Sequence, residues 1–413
     1  MAKNQSNYYK DEKHPWSKTK DTLLGCYLKP FFDKTYPFSQ NGLVYVDGFA
    51  GEGRFGDGSF GSPIIAMQKL QSTASKKRYK FDVQFIFAES DGRRMNRLKN
   101  AVGDSRGNTR YIRPPMFCPT FEEAMERAQH VTLRSGTVPS TFFFYVDPFG
   151  VKYLKMDVLL QSPNPQHTKV LVNFNTVGFI RDACAALKIA ANIPSDIEVC
   201  DEGFDDETPV QERVSRLTRC IGSEDWKGIV ESRRNGESDF WDVEYRIGKL
   251  FCLNASKKYK YVTNMPIRDM SKRRLYGGEI KYRMIHMTNN ADGCVIMNNN
   301  MLKRNNELQT GQQSLFQVGV DGRDVATDAV AAAMREAVES LPVGMNVKMG
   351  ELAAYVISRC GVFETDNPLL RTYLGPYLEN GIIERVVKTT DAGRAKSSFN
   401  LKDRVYRPTD VTM

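Results

Sequence analysis

The sequence predicts an α/β fold: a doubly wound, mostly parallel sheet with a helical insertion, followed by a small module of helices and a hairpin. Three observations carry this. Four apolar runs, LVYVD, FDVQFIFAE, STFFFYVD and KVLVNF, finish at or beside a polar residue, namely Asp47, Glu89, Asp147 and Asn173. Segments of helical spacing alternate with these runs, which is the rhythm of βαβ units. From Thr327 onward the pattern becomes three helical segments and then two short runs around DAGRAK.

Taken in order, residues 16–36 alternate apolar and basic positions at helical spacing, so a helix precedes the first strand. The run ending at Asp47 opens into GFAGEGRFGDGSFGS, a loop too glycine-rich for ordinary packing. Gly48, Gly51 and Gly53 permit backbone angles closed to other residues and leave the main chain open to a bulky ligand. SPIIAMQKLQS reads as the crossover helix, with Ser62 as cap and Pro63 in the first turn. The second apolar run ends at Glu89, followed by Asp91, where an open α/β sheet places the acid that accepts from ribose hydroxyls. PTFEEAMERAQ starts another helix, with Thr120 and Glu123 at capping-box spacing. The remaining runs deliver Asp147 and Asn173 to the same end of the sheet, so a crevice outside a parallel sheet is furnished with polar groups.

From about Arg181 to Leu250 the chain turns polar and helical, with the acidic stretch DEGFDDET and Trp226 and Trp241. This reads as a helical insertion, 181–250, within a first domain of residues 1–315. KKYKYVTNMPI and KYRMIHMT suit an antiparallel pair closing the sheet edge, separated by a basic stretch with Arg268, Lys272, Arg273 and Arg274, followed by Lys281 and Arg283, which reads either as a phosphate-facing surface or as a solvated loop. The amide-rich segment NNNMLKRNNELQTGQQS leads out of that domain, residues 316–326 form a linker, and 327–413 form the second domain. Three helices followed by a hairpin is the order of a winged helix-turn-helix, whose third helix and wing are the usual DNA-facing parts. Arg371, Lys388, Arg394 and Lys396 fall on those elements, and with Arg273 and Arg274 they are the candidate nucleic-acid contacts. Protein docking is the alternative use of the same small fold.

Composition narrows the classes. The net charge of +9 favours an anionic partner. No apolar run approaches a membrane span, and MAKNQSNYYKDEKHPW lacks the core of a secretory signal, so a soluble cytoplasmic protein is expected. Eight scattered cysteines without a CxxC pair imply reduced thiols, and four isolated histidines argue against a histidine-based zinc enzyme.

DGFAGEG resembles the cofactor turn of class I methyltransferases that use S-adenosyl-L-methionine. HPWSKTKDTLLGCYL, YVDGFAGEGRFGDGSFGSP, FIFAESD, FYVDPFG and YRMIHMTNNADG together resemble the three-Cys-motif partner family over about the first 300 residues. The terminal module is similar to the winged-helix domain often appended in that family. The resemblance implies a Rossmann-like class I methyltransferase sheet and a separate partner protein carrying three cysteines. It implies that the loop of Asp47, Gly48, Phe49, Ala50, Gly51 and Gly53 holds the methionine and ribose part of the cofactor through backbone groups. Glu89 would bind both ribose hydroxyls. Thr120 and Phe121, with Cys118 as an alternative, would meet adenine.

For the chemistry, amino-methyltransferases acting on bases carry an acid or amide followed by Pro-Pro-aromatic. This chain has Asp147, Pro148, Phe149 and Gly150, with the aromatic one place forward. Asp147 would orient an amine and Phe149 would stack on a base. Ribose 2'-hydroxyl methyltransferases instead order Lys, Asp, Lys and Glu along the chain. The matching positions are Lys20, Asp147, Asn173 in place of lysine, and Glu279. The expected function is therefore a methyltransferase acting with or on nucleic acid, the alternative being a binding subunit that keeps the cofactor fold without methyl transfer.

Overall fold

The computed structural model describes residues 15–35, 42–76, 82–106, 111–131, 141–191, 208–269, 279–309, 327–361, 367–386 and 403–408. The chain divides into two compact units, Met1–Asn289 and Asn290–Met413.

The first unit is a mixed α/β structure around one seven-stranded sheet. Helix α1 (Pro15–Thr35) comes first. Strand β1 (Leu43–Asp47) leads to α2 (Ser62–Ala74), β2 (Val83–Ala88) to α3 (Gly92–Arg106), and β3 (Met116–Cys118) to α4 (Phe121–Gln129). Strand β4 (Thr141–Val146) is followed by the short helix α5 (Met156–Leu159). After β5 (Thr168–Phe174) come α6 (Thr176–Leu187), α7 (Val210–Ile221), α8 (Trp226–Glu231) and α9 (Phe240–Ala255). Strands β6 (Tyr261–Asp269) and β7 (Glu279–Thr288) complete the sheet.

The strand order is β3-β2-β1-β4-β5-β7-β6. Strands β1 to β5 run parallel, and β7 runs antiparallel to both β5 and β6. Every residue of β1, β2, β4 and β5 is buried, which is why these strands read as continuous apolar runs rather than alternating ones. One face is covered by α1, where the rings of Tyr27 and Phe31 lie 5.8 and 5.1 Å from that of Phe143. On the other, Phe174 stacks 4.7 Å from Phe251 of α9, and Trp226 stands edge-on to Phe179 at 6.0 Å. The helical stretch expected over 181–250 corresponds to α6 through α9, of which 192–207 lie outside the described residues.

Thr120 caps α4 as its spacing implies, accepting from the Glu123 amide at 3.2 Å. Helix α2 differs from expectation. Gly61 is the cap, and Ser62 is already the first helical residue. Its hydroxyl lies on the side of Asp47, whose carboxyl it helps to hold down.

The second unit contains α10 (Ala291–Gln309), α11 (Thr327–Glu339), β8 (Val347–Lys348), α12 (Met349–Cys360), α13 (Asn367–Glu379), β9 (Glu384–Val386) and β10 (Arg404–Tyr406). Its small sheet has the antiparallel order β8-β10-β9. Helix α10, read from sequence as part of the exit from the first domain, belongs by its contacts to this unit, and residues 316–326 lie outside the described ones. No helix among the described residues is long and apolar enough to cross a membrane.

Candidate active site

In the order β3-β2-β1-β4-β5 successive strands are added in one direction up to β3 and in the other from β4, and ligands of open α/β sheets bind outside the carboxyl ends of the strands at such a point. The glycine loop is fixed there by main-chain bonds to both neighbouring strands. Gly48 N donates to Tyr145 O at 2.8 Å and Ala50 N to Ala88 O at 2.8 Å, while Glu89 N, after β2, donates to Cys118 O of β3 at 3.0 Å. Two adjoining chambers result, and Phe49 and Phe149 line both.

The larger chamber, about 240 Å³, is lined by Gly48, Glu89, Arg94, Thr120, Phe121 and Tyr153 among others. Glu89 is 7% exposed, and Asp91 N donates to its Oε1 at 2.8 Å. Burial raises its carboxyl above the ordinary value, opposed by that bond and by Arg94. Phe121 is a core residue whose ring packs on Gly48 and lies 5.8 Å from Phe49. The Thr120 hydroxyl is engaged in capping α4. The Arg94 guanidinium sits 5.5 Å from the Phe149 ring.

The smaller chamber, about 50 Å³, is lined by Lys20, Asp21, Ala50, Ser62, Asp147, Pro148, Asn173, Asn175 and Tyr282 among others. At its centre Lys20 Nζ donates to both oxygens of Asp147, at 2.9 and 2.8 Å. Asn173 Nδ2 donates to Asp147 Oδ1 at 2.6 Å, and the Tyr145 hydroxyl reaches Oδ2 at 3.4 Å. Lys20 also sits 4.9 Å from the ring centre of Tyr282.

Some sequence candidates stand elsewhere. Asp47 lines neither chamber. It is fully buried under the loop, Oδ1 accepts from Phe49 N at 3.2 Å, and Oδ2 has no partner. Burial lifts its carboxyl to about 7, opposed by Ser62 and Phe49. Gly51 and Gly53 line neither chamber. Gly53, at φ +77, packs against α3, where a Cβ would stand 3.2 Å from Ala101 and Leu98. Arg371 lies on α13, its side chain outside the described residues, as are Arg273, Arg274, Lys388, Arg394 and Lys396.

Arg94, Tyr153, Asn175 and Tyr282 were not singled out from sequence. The signal for Arg94 was available in its place three residues after Asp91, whose carboxylate accepts from the Arg94 amide at 2.9 Å. Asn175 was marked by its spacing to Gly178, whose amide it caps at 2.8 Å. Arg283, read from sequence with the basic stretch, is instead buried at 1% exposure, because its charge is met inside the fold. Arg283 donates to both Glu244 oxygens at 2.7 and 2.6 Å and to Asn264 at 2.7 Å, while Thr176 donates to Glu244 at 2.6 Å.

Fold and cleft together define a mixed α/β protein with a seven-stranded, mostly parallel sheet, compatible with a Rossmann-like fold, and with a divided crevice at the switch point of that sheet. Neither a scan of protein families nor a search of curated proteins returns a match for this chain.

Proposed function

We propose that the chain is an S-adenosyl-L-methionine-dependent methyltransferase acting with or on nucleic acid. The observation that carries this reading is the pair of chambers meeting at Phe49 and Phe149, one with an acid at a strand end and the other with a polar cluster. An adenosyl group suits the first donor set: Glu89 offers a carboxylate to a pair of hydroxyls, and Phe121 and Tyr153 offer apolar faces. The close approach of Phe121 to the bare α-carbon of Gly48 supports a wall shaped around a flat ligand. The reversed strand β7 between β5 and β6 agrees with the antiparallel edge pair that this reading expects, and distinguishes the sheet from the dinucleotide-binding order.

When bound, the cofactor supplies a methyl group on a positively charged sulfur. The chain's own residues orient the acceptor and restrict water, which is where positioning contributes most. Lys20, Asp147 and Asn173 surround the acceptor end, while Phe49 and Phe149 stand between the chambers.

The helix and small-sheet unit, with β9 paired to β10 after α13, supports a winged-helix reading in which that unit contributes nucleic-acid affinity. A separate three-Cys-motif protein is the proposed protein partner. The rival reading is a subunit that keeps the cleft but transfers no methyl group, and the engagement of Asp147 by Lys20 favours it over an amine methyltransferase. Isothermal titration of the full chain with S-adenosylmethionine, followed by labelled-methyl transfer to DNA, RNA and protein, tests the proposal. Binding with transfer supports it, binding without transfer favours the rival, and absence of binding removes both cofactor readings.

A further inference from the structure

The glycine loop divides between the two chambers. Gly48 lines the larger one, whereas Phe55, Gly61 and Ser62 line only the smaller. Residues 54–60 form a tight hairpin: Arg54 and Phe60 pair as an antiparallel bridge, and Phe55 N donates to Ser59 O and Gly58 N to Phe55 O, both at 3.0 Å. At the tip Ser59 N donates to Asp57 Oδ1 at 2.9 Å, and at the base Gly61 N donates to Gly53 O at 2.9 Å. Gly56, Asp57 and Gly58 are exposed. No residue of the hairpin lines the larger chamber.

Successive residues of a strand point to opposite sides, so the hairpin carries two chemistries. On one side Phe55, half-exposed, gives its ring to the lining of the small chamber. At about 50 Å³ that chamber holds a few water-sized groups, enough for the polar edge of a flat ring and too little for a whole nucleoside. The face of such a ring is then met at the mouth, where half-exposed side chains stand. Asp21, Ser62 and Asn175 in the same lining supply the donors and acceptors that a base edge needs. On the other side the Arg54 guanidinium lies 4.8 Å from the ring centre of Phe60 and donates to Ser105 Oγ of α3 at 3.5 Å. Helix α3 holds Arg93, Arg94, Arg97, Lys99 and Arg106 against one acid, Asp104. Arg93, Arg97 and Lys99 are exposed, and of these Arg97 is met by Glu52 at the base of the loop. A ring at the mouth of a polar slot therefore stands beside a positively charged helix, the pairing that suits unpaired bases and their phosphates.

Resting on the nucleic-acid part of the reading above, we infer that the hairpin of residues 54–60 is a guide for single-stranded nucleic acid. Phe55 stacks on one unpaired base, whose edge enters the small chamber, and Arg54 with the exposed face of α3 meets the phosphates on the far side of the hairpin. Stacking on a ring tolerates any base, so the guide sets which nucleotide is presented by position along the strand and not by sequence. The net charge of +9 supplies the long-range attraction that brings such a strand to the chain.

The test is fluorescence anisotropy of the full chain with a mixed-sequence oligonucleotide, offered as single-stranded DNA, single-stranded RNA and duplex DNA. The native chain is expected to bind a single strand. Phe55→Ala should weaken that binding about tenfold, the usual scale for one base on an aromatic ring, and Phe55→Trp should restore it. Arg54→Gln should lower the slope of log affinity against log salt by about one. Melting curves report whether each variant is folded. A second readout needs no variant: the native chain is photocrosslinked to a single strand carrying 5-iodouracil and the adducts are mapped by mass spectrometry, with Phe55 expected among them. Affinity confined to the duplex, no affinity for either single strand, single-strand affinity that Phe55→Ala leaves intact, or adducts that spare Phe55 overturns the inference and leaves the cofactor reading standing. Calorimetry with S-adenosylmethionine is scored separately: its failure removes the methyltransferase reading, while the strand measurements decide the role of the hairpin.

Discussion

The ring of Phe121 rests on the α-carbon of Gly48, so closely that a Cβ there would stand 2.6 Å from its Cδ2. The glycine is needed for proximity rather than for an unusual backbone angle. Gly48→Ala is expected to cost about 1–3 kcal/mol, the range for overpacking a well-filled site, measured by urea unfolding. Adding Phe121→Ala removes the obstruction, so the double variant should be more stable than the two separate costs imply. Strict additivity of the two costs would show that the ring gives way freely.

Asp47 gives the first unit a pH dependence with a definite sign. Its carboxyl titrates near the ordinary 3.8 when unfolded and at about 7 in the folded chain, chiefly through burial, with Asp147 and Asp21 adding to the rise. Between those values folding takes up a proton. The contribution is therefore fully present below about pH 4 and is lost as pH rises through 7. Asp47→Asn keeps an oxygen for the Phe49 amide and removes the titration. Melting temperatures at pH 5 and pH 8 should differ less in the variant than in the native chain, and an unchanged difference would rule Asp47 out as the source.

Arg283 and Glu244 form a buried ion pair, 1% and 0% exposed. Arg283→Met leaves Glu244 without its cation and should cost about 3–5 kcal/mol, whereas Arg283→Met with Glu244→Leu should recover most of that loss. Gly248 makes room for the guanidinium, since a Cβ would lie 2.6 Å from Arg283 Cδ. Gly248→Ala should therefore destabilise the chain in its own right. Chemical denaturation of the four proteins checks the series.

Under the proposed function, Glu89→Gln keeps the shape of the side chain and removes the charge that favours a pair of hydroxyl donors. Charge-assisted bonds are roughly twice as strong as neutral ones, so affinity for S-adenosylmethionine should fall about tenfold or more with the melting temperature little changed. Calorimetry of the variant decides this, and undiminished affinity would remove Glu89 from the cofactor site.

What could be read from the sequence follows from how local each signal was. Strands Leu43–Asp47 and Val83–Ala88 are buried on both faces, so their apolar runs are uninterrupted, and the acid after the second run marked Glu89 without knowledge of its neighbours. Strand Met116–Cys118 spans three residues behind two prolines and has no run to detect. Chain order named Lys20 and Asn173; Asn173 reaches Asp147 from the adjacent parallel strand, but the arrival of Lys20 depends on how the first helix docks, 127 residues away in sequence. The resemblance puts Asp47 in the cofactor loop, and the strand-end pattern puts its carboxylate at the rim of the crevice. Here the loop folds over it, and its exposed-looking position becomes an interior one.

Phe49 and Phe149 belong to two rooms at once. Under the proposed function, whatever settles on one side shapes the partition that the other side presents, so cofactor and acceptor should not bind as strangers. Each should alter the other's dissociation constant by an equal factor.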